Sequence, residues 1–105
     1  MMHDQTIFRA IADPTRRQVI SLLAKRDMTV SDVASRFDMS RPAVAKHLGI
    51  LQAADLIRTE RKGREVVNRL NPEALKSAAD WLDHFSPFWD DKLMKLKHAV
   101  ENDDD

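Results

Sequence analysis

A chain of 105 residues with 43% apolar content suits one domain with one modest core, and the absence of cysteine excludes a disulfide framework, thiolate metal sites and thiol redox switching. No apolar run approaches the roughly 20 residues that cross a bilayer, and the polar opening Met1-Met2-His3-Asp4-Gln5 lacks a signal peptide's apolar segment; the expectation is a soluble, cytoplasmic protein with no membrane partner. The formal net charge of +0 hides a division, because residues 1–70 carry 13 Lys and Arg against 8 Asp and Glu, a net of +5, whereas residues 71–105 carry 4 against 9, a net of −5.

Ile7, Phe8 and Ile11 recur at helical spacing and predict a short first helix over about 4–12. Asp13 is placed to cap a second helix opened by Pro14, with Val19, Ile20, Leu22 and Leu23 as its buried side and an end near Ala24. Met28-Thr29-Val30 is long enough for a connector or one small strand. Ser31 is expected to cap a helix carrying Val33, Ala34 and Phe37, and Asp38-Met39 makes the turn out of it. Ser40 then caps a further helix with Pro42 in its first turn, and Val44, Leu48 and Leu51 at i, i+4, i+7 fix that helix to the core.

Residues 56–61 and 65–70 read as paired strands around Lys62-Gly63, the glycine supplying the positive φ of a tight hairpin. Asn71-Pro72 opens a long C-terminal helical region, which Ser86-Pro87 kinks or restarts. The domain is expected to span 1–101, with 102–105 a disordered acidic tail.

Two short helices joined by a tight turn over 29–51 have the form of a helix-turn-helix. The core accounts for Val33, Ala34, Phe37, Val44, Leu48 and Leu51 but leaves Arg41, Pro42, Ala45, Lys46 and Gly49 on an outward stripe, whose small residues would let a DNA groove come close. Arg41 and Lys46 can reach guanine edges or phosphates, Ser40 and the helix start, with Ala43, can hold a phosphate, and Pro42 and Ala45 can meet thymine methyls. His47 is open to two readings, a phosphate contact or a half-buried structural hydrogen bond. Arg61, Lys62 and Arg64 at the hairpin tip would track phosphates or enter the minor groove, against the plainer reading of a solubilising tip. Arg16 and Arg17 are divided between a DNA-backbone contact and ordinary surface charge. With two glycines, no glycine-rich phosphate loop and no nucleophile elbow, the chain offers nothing for catalysis.

Helix, helix, helix-turn-helix, hairpin, helix is the order of a winged helix, mainly α with a small β-hairpin. The segments Ala10-Ile11-Ala12-Asp13-Pro14-Thr15-Arg16-Arg17, Met39-Ser40-Arg41-Pro42-Ala43-Val44-Ala45-Lys46-His47-Leu48 and Arg61-Lys62-Gly63-Arg64, in that order, resemble the ArsR/SmtB family of bacterial transcriptional repressors over nearly the whole chain. The resemblance implies a homodimer, joined through N- and C-terminal helices, that binds double-stranded DNA at an inverted-repeat operator and represses transcription. On that reading Ile7, Phe8, Ile11, Trp81, Phe85, Phe88, Trp89, Leu93 and Leu96 are the candidate dimer residues.

The aromatic stretch from Trp81 to Trp89 is similar to a cysteine-free branch whose members are often not metal sensors. Physically, Trp81, Phe85, Phe88 and Trp89 carry more apolar area than one flank of a small domain can bury, which points to a partner, although they could instead complete the protomer's own core. Against the resemblance's metal site, Asp83-His84 are adjacent and His98-x-x-Glu101 supplies only half of the pattern, so no metal and no cofactor are expected, and a pH response through His84 stays open. Two further readings remain: a winged helix used only as a protein-protein interaction module, and a regulator that also lodges a small apolar effector among the aromatic residues.

Overall fold

The computed structural model describes residues 2–103, in the order α1 (Met2–Ile11), α2 (Pro14–Lys25), β1 (Met28–Thr29), α3 (Val30–Ala34), α4 (Arg41–Ala53), β2 (Ile57–Lys62), β3 (Glu65–Leu70), α5 (Pro72–Asp83) and α6 (Ser86–Asp103). The strands form one antiparallel sheet in the order β1-β3-β2. Met28-Thr29 is thus a strand, paired through Met28 with Asn68 and Thr29 with Val67.

The starts of α2, α3 and α4 each have a side-chain capping acceptor. Asp13 caps α2 by accepting the Arg16 N–H at 3.0 Å, with Pro14 supplying the fixed φ of the first position. Ser31 does not cap α3. Thr29 does, its hydroxyl accepting the Asp32 N–H at 3.1 Å while the Asp32 carboxylate reaches back to the Thr29 N–H, a capping box. The helix consequently starts two residues earlier than expected and ends at Ala34, leaving Phe37 in the turn that follows.

The α4 C-terminus turns through Asp55 at φ +60, a left-handed position where a side chain is strained. Asn71 holds that turn, its amide donating to the Asp55 carbonyl at 2.8 Å and to the Asp55 carboxylate at 3.3 Å, which is why it makes no cap bond to α5. Gly63, at φ +63, and Arg64 form a two-residue connection between β2 and β3; positive φ at the first loop residue alone is the pattern of a type II′ turn.

One core closes over these elements: Ile7 and Ala10 of α1, Val19 and Leu23 of α2, Met28, Val33, Val44, Leu48, Leu51, Leu56, Ile57, and Ala74 and Ala78 of α5 are all buried. Leu51 is wholly enclosed, so Leu51→Ala would cost about 2–5 kcal/mol. Buried Asn68 satisfies its amide on the Met28 carbonyl at 3.2 Å, tying β3 to β1. On the central strand Arg69 pairs with Asp27 at 3.0 Å and Glu60 at 3.4 Å, and these carboxylates raise its pKa above the ordinary arginine value.

The core ends at Ala78. Beyond it the chain restarts at Ser86 as α6, which stands out from the body, giving extents of 62 × 32 × 20 Å and a radius of gyration of 18.0 Å where about 13 Å suits a compact chain of this length. α6 runs to Asp103, so Asn102 and Asp103 continue the helix rather than beginning an irregular tail; 104–105 lie outside the described residues. No helix of the described part is long and apolar enough to cross a membrane.

Candidate nucleic-acid interface

α4 turns Val44, Leu48 and Leu51 into the core and leaves Arg41, Pro42, Ala45, Lys46 and Gly49 exposed. Ala43 and His47, between the two stripes, are half-buried. Beside Gly49 an added Cβ would meet nothing within 4 Å, so this face carries no intramolecular neighbour. At the helix start Ser40 Oγ accepts the Ala43 N–H at 3.3 Å and Pro42 has no N–H, so backbone anion capture here falls to the Arg41 amide alone.

Arg41 donates to Ser31 Oγ at 2.7 Å, a bond that fixes one edge of its guanidinium to α3 and leaves the remaining donors pointing to solvent. The hydroxyl taken as a helix cap therefore orients a cation of the reading helix. On the other flank the hairpin projects, with every residue from Arg58 to Val66 exposed. Among the described residues Arg61, Lys62, Arg64 and Lys46 make no ion pair, whereas Arg58 is paired with Asp55 at 3.7 Å and Arg69 with Asp27 and Glu60. The wing tip and the α4 stripe thus both present unpaired cations, and Arg41 and Arg64 line one cleft between them.

Three basic or titratable residues are employed elsewhere. Arg17 donates to the Ile11 and Ala12 carbonyls at 2.8 and 3.0 Å, and Arg16 to those of Ala10 and Arg9 at 2.5 and 3.2 Å, so both guanidinia sit on the negative end of α1. His47 faces inward, its Nδ1 3.9 Å from the Asp13 carboxylate and 3.4 Å from Arg16 Nη1. The Arg16 N–H bond lowers the Asp13 pKa, with Arg16 and His47 adding to it against the effect of burial.

Of the candidate dimer residues, Ile7 is enclosed in the protomer's own core and has no surface to offer. Phe8 and Ile11 are half-buried against the core. Phe8 packs edge-on to Trp81 at 5.3 Å between ring centres, and Trp81 lies 5.0 Å from Phe85. Even so Trp81, Phe85 and Phe88 remain 46%, 43% and 53% exposed and Leu96 61%, so the protomer's own core does not absorb them. The side chains of Trp89 and Leu93 lie outside the described residues.

A capped helix with an exposed cationic stripe, seated on a short companion helix and flanked by a projecting basic hairpin, defines a winged helix-turn-helix protein that binds DNA. Residues 13–59 match the family model described as bacterial regulatory protein, arsR family. The transcriptional repressor SdpR of Bacillus subtilis is 40% identical over 79 residues, which cover 75% of this chain and 88% of that protein. The crystal structure of an ArsR family transcriptional regulator, RHA00566, superposes with a TM-score of 0.77 at 35% identity, covering 85% of this chain and 92% of the other. An ArsR-like transcriptional regulator from Rhodococcus sp. RHA1 gives 0.72 at 33% identity over 92% of both chains. The chain belongs to the ArsR family: it is a DNA-binding transcriptional regulator, not an enzyme.

Proposed function

We propose that this regulator is a cytoplasmic repressor that acts as a homodimer on an inverted-repeat operator. Arg41 and Lys46 read base edges from the major groove, Pro42 and Ala45 fit against thymine methyls, and Arg61, Lys62 and Arg64 of the wing follow phosphates or enter the minor groove. The observation that carries the DNA surface is that Arg41, Lys46, Arg61, Lys62 and Arg64 are all exposed and make no ion pair among the described residues, on one helix stripe and the hairpin tip beside it.

The dimer rests on Trp81, Leu82, Phe85, Phe88, Met94, Leu96 and Val100, large apolar side chains 43–61% exposed along α5 and α6, too much apolar surface in one region for a solitary soluble chain. A second copy meeting this face would relate two reading helices by a two-fold axis, which calls for inverted half-sites, and helices entering successive major grooves take half-sites about 34–36 Å apart, one turn of DNA.

Sequencing the duplex fragments that the purified protein selects from a random pool tests the proposal. A pair of inverted half-sites spaced by one helical turn is the expected result, together with a mass of two chains in sedimentation. A monomer that selects nothing at low ionic strength would overturn it.

A further inference from the structure

His47 stands beside the reading surface without belonging to it. Its ring is packed inward, 22% exposed, from a helix whose neighbouring Lys46 points to solvent. The groups facing it both come from the start of α2. Asp13 at the α2 cap presents Oδ2 at 3.9 Å from Nδ1, and Arg16 in the first turn of α2 presents Nη1 at 3.4 Å from the same nitrogen. Arg16 in turn holds the last carbonyls of α1 through its other nitrogens, so α1, α2 and α4 meet at one imidazole.

We infer that His47 is a positioning residue, and that its Nδ1 sets the seating of α4 by choosing between two mutually exclusive anchors. The choice follows from valence. Unprotonated, Nδ1 accepts a hydrogen bond from Arg16 Nη1 and has no proton to offer Asp13. Protonated, it becomes a donor to the Asp13 carboxylate, can accept nothing from Arg16, and the imidazolium is repelled by the guanidinium.

Arg16 Nη1, at 3.4 Å, is nearer to Nδ1 than Asp13 Oδ2, at 3.9 Å, and it links the reading helix to the α1 end through a single guanidinium. Asp13 keeps its charge across the range in which histidine titrates, because the Arg16 N–H bond holds its carboxyl below the ordinary value. The anchors therefore exchange by protonation of the ring alone. Since α4 carries the base-reading side chains, the exchange alters discrimination between sequences more than general attraction to phosphate.

The inference rests on DNA reading through α4, so its test has one arm without DNA. In the full chain, nitrogen-15 NMR of the histidine side chains, with the His47 signals identified by their loss in His47→Asn, reports the tautomer directly. With spectra taken at two pH values, an unprotonated Nδ1 at the alkaline one and a doubly protonated ring at the acid one are expected, with the Arg16 Nη1 signal shifting in step. A ring with Nδ1 protonated at both pH values would overturn the inference whatever happens on DNA.

The second arm measures affinity for the selected operator and for a random duplex of equal length at the same two pH values. Asparagine keeps a polar atom at the Nδ1 position but carries no charge. The wild type should lose specificity ratio by about threefold to tenfold at the lower pH, the worth of one hydrogen bond, and His47→Asn should hold a constant ratio. An equal pH effect in both proteins would overturn the inference. So would a fall in the salt-dependence slope of random-duplex binding in His47→Asn at the lower pH, the mark of a lost phosphate contact.

Discussion

Gly49→Ala should raise stability and lower DNA affinity in one substitution. Gly49 is the ninth residue of the 13-residue α4, well inside the helix, where glycine is less favourable than alanine by about 1 kcal/mol. Nothing lies within 4 Å of the added methyl, so no steric penalty offsets that gain. For a domain of this size 1 kcal/mol corresponds to about 4–8 °C in Tm. Urea unfolding should show a higher midpoint at unchanged slope. The same methyl stands on the outward stripe with Pro42, Ala45 and Lys46, where the duplex backbone must come closest if α4 enters the groove. Fluorescence anisotropy on the selected operator should then show a loss of about tenfold, equivalent to about 1.4 kcal/mol. A variant no more stable than the wild type would refute the claim of an unhindered helix interior. One that gains stability and keeps full affinity would refute close approach at Gly49 and move the DNA surface elsewhere.

Arg41→Ala should cost about 1–3 kcal/mol on the operator and relax preference at one base pair, whereas Lys62→Ala should weaken all sequences alike and reduce the salt slope by about 1; equal losses on operator and random duplex for Arg41→Ala would remove its reading role. Asn71→Ala leaves the strained Asp55 turn without its amide donor and should destabilise the fold by about 1–3 kcal/mol in urea titration, with the salt slope of DNA binding unchanged. Asp13 has a folded pKa below its unfolded value, so its contribution is complete above the unfolded pKa and is lost as pH falls through the folded one. Asp13→Asn should therefore flatten the acid limb of the stability curve below about pH 4, a difference thermal melts across that range would detect.

The parts of this molecule legible from residue order are those governed by local geometry. Val44, Leu48 and Leu51 at helical spacing fixed which side of α4 is buried, and hence that Arg41, Ala45, Lys46 and Gly49 face outward, because the 3.6-residue period leaves no alternative. Gly63 marked the hairpin for the same local reason. Thr29-x-x-Asp32 carried a capping signal that was passed over in favour of Ser31, since both residues have hydroxyls and only the reciprocal bond distinguishes them.

What local pattern could not show is where long side chains go once the chain has folded back. The end of α1 comes within reach of Arg16 and Arg17 only through the turn at Ala12-Asp13, and Arg69 finds Asp27 across 42 residues of sequence. Arg41 reaches Ser31, and His47 meets Asp13, by the same kind of distant pairing. Ile7 was placed at an interface because its helix was, and a single apolar stripe does not reveal which of its members the protomer keeps for itself.

The early closure of the core at Ala78 separates two kinds of evolutionary freedom. Residues whose side chains are described from Ser86 onward can be exchanged without opening a void beneath the proposed DNA surface, while changes to that surface leave the outlying helix untouched. If the protein works as the pair proposed, a bacterium holding several such regulators could keep their subunits from mixing by rewriting α6 alone, each retaining its own operator.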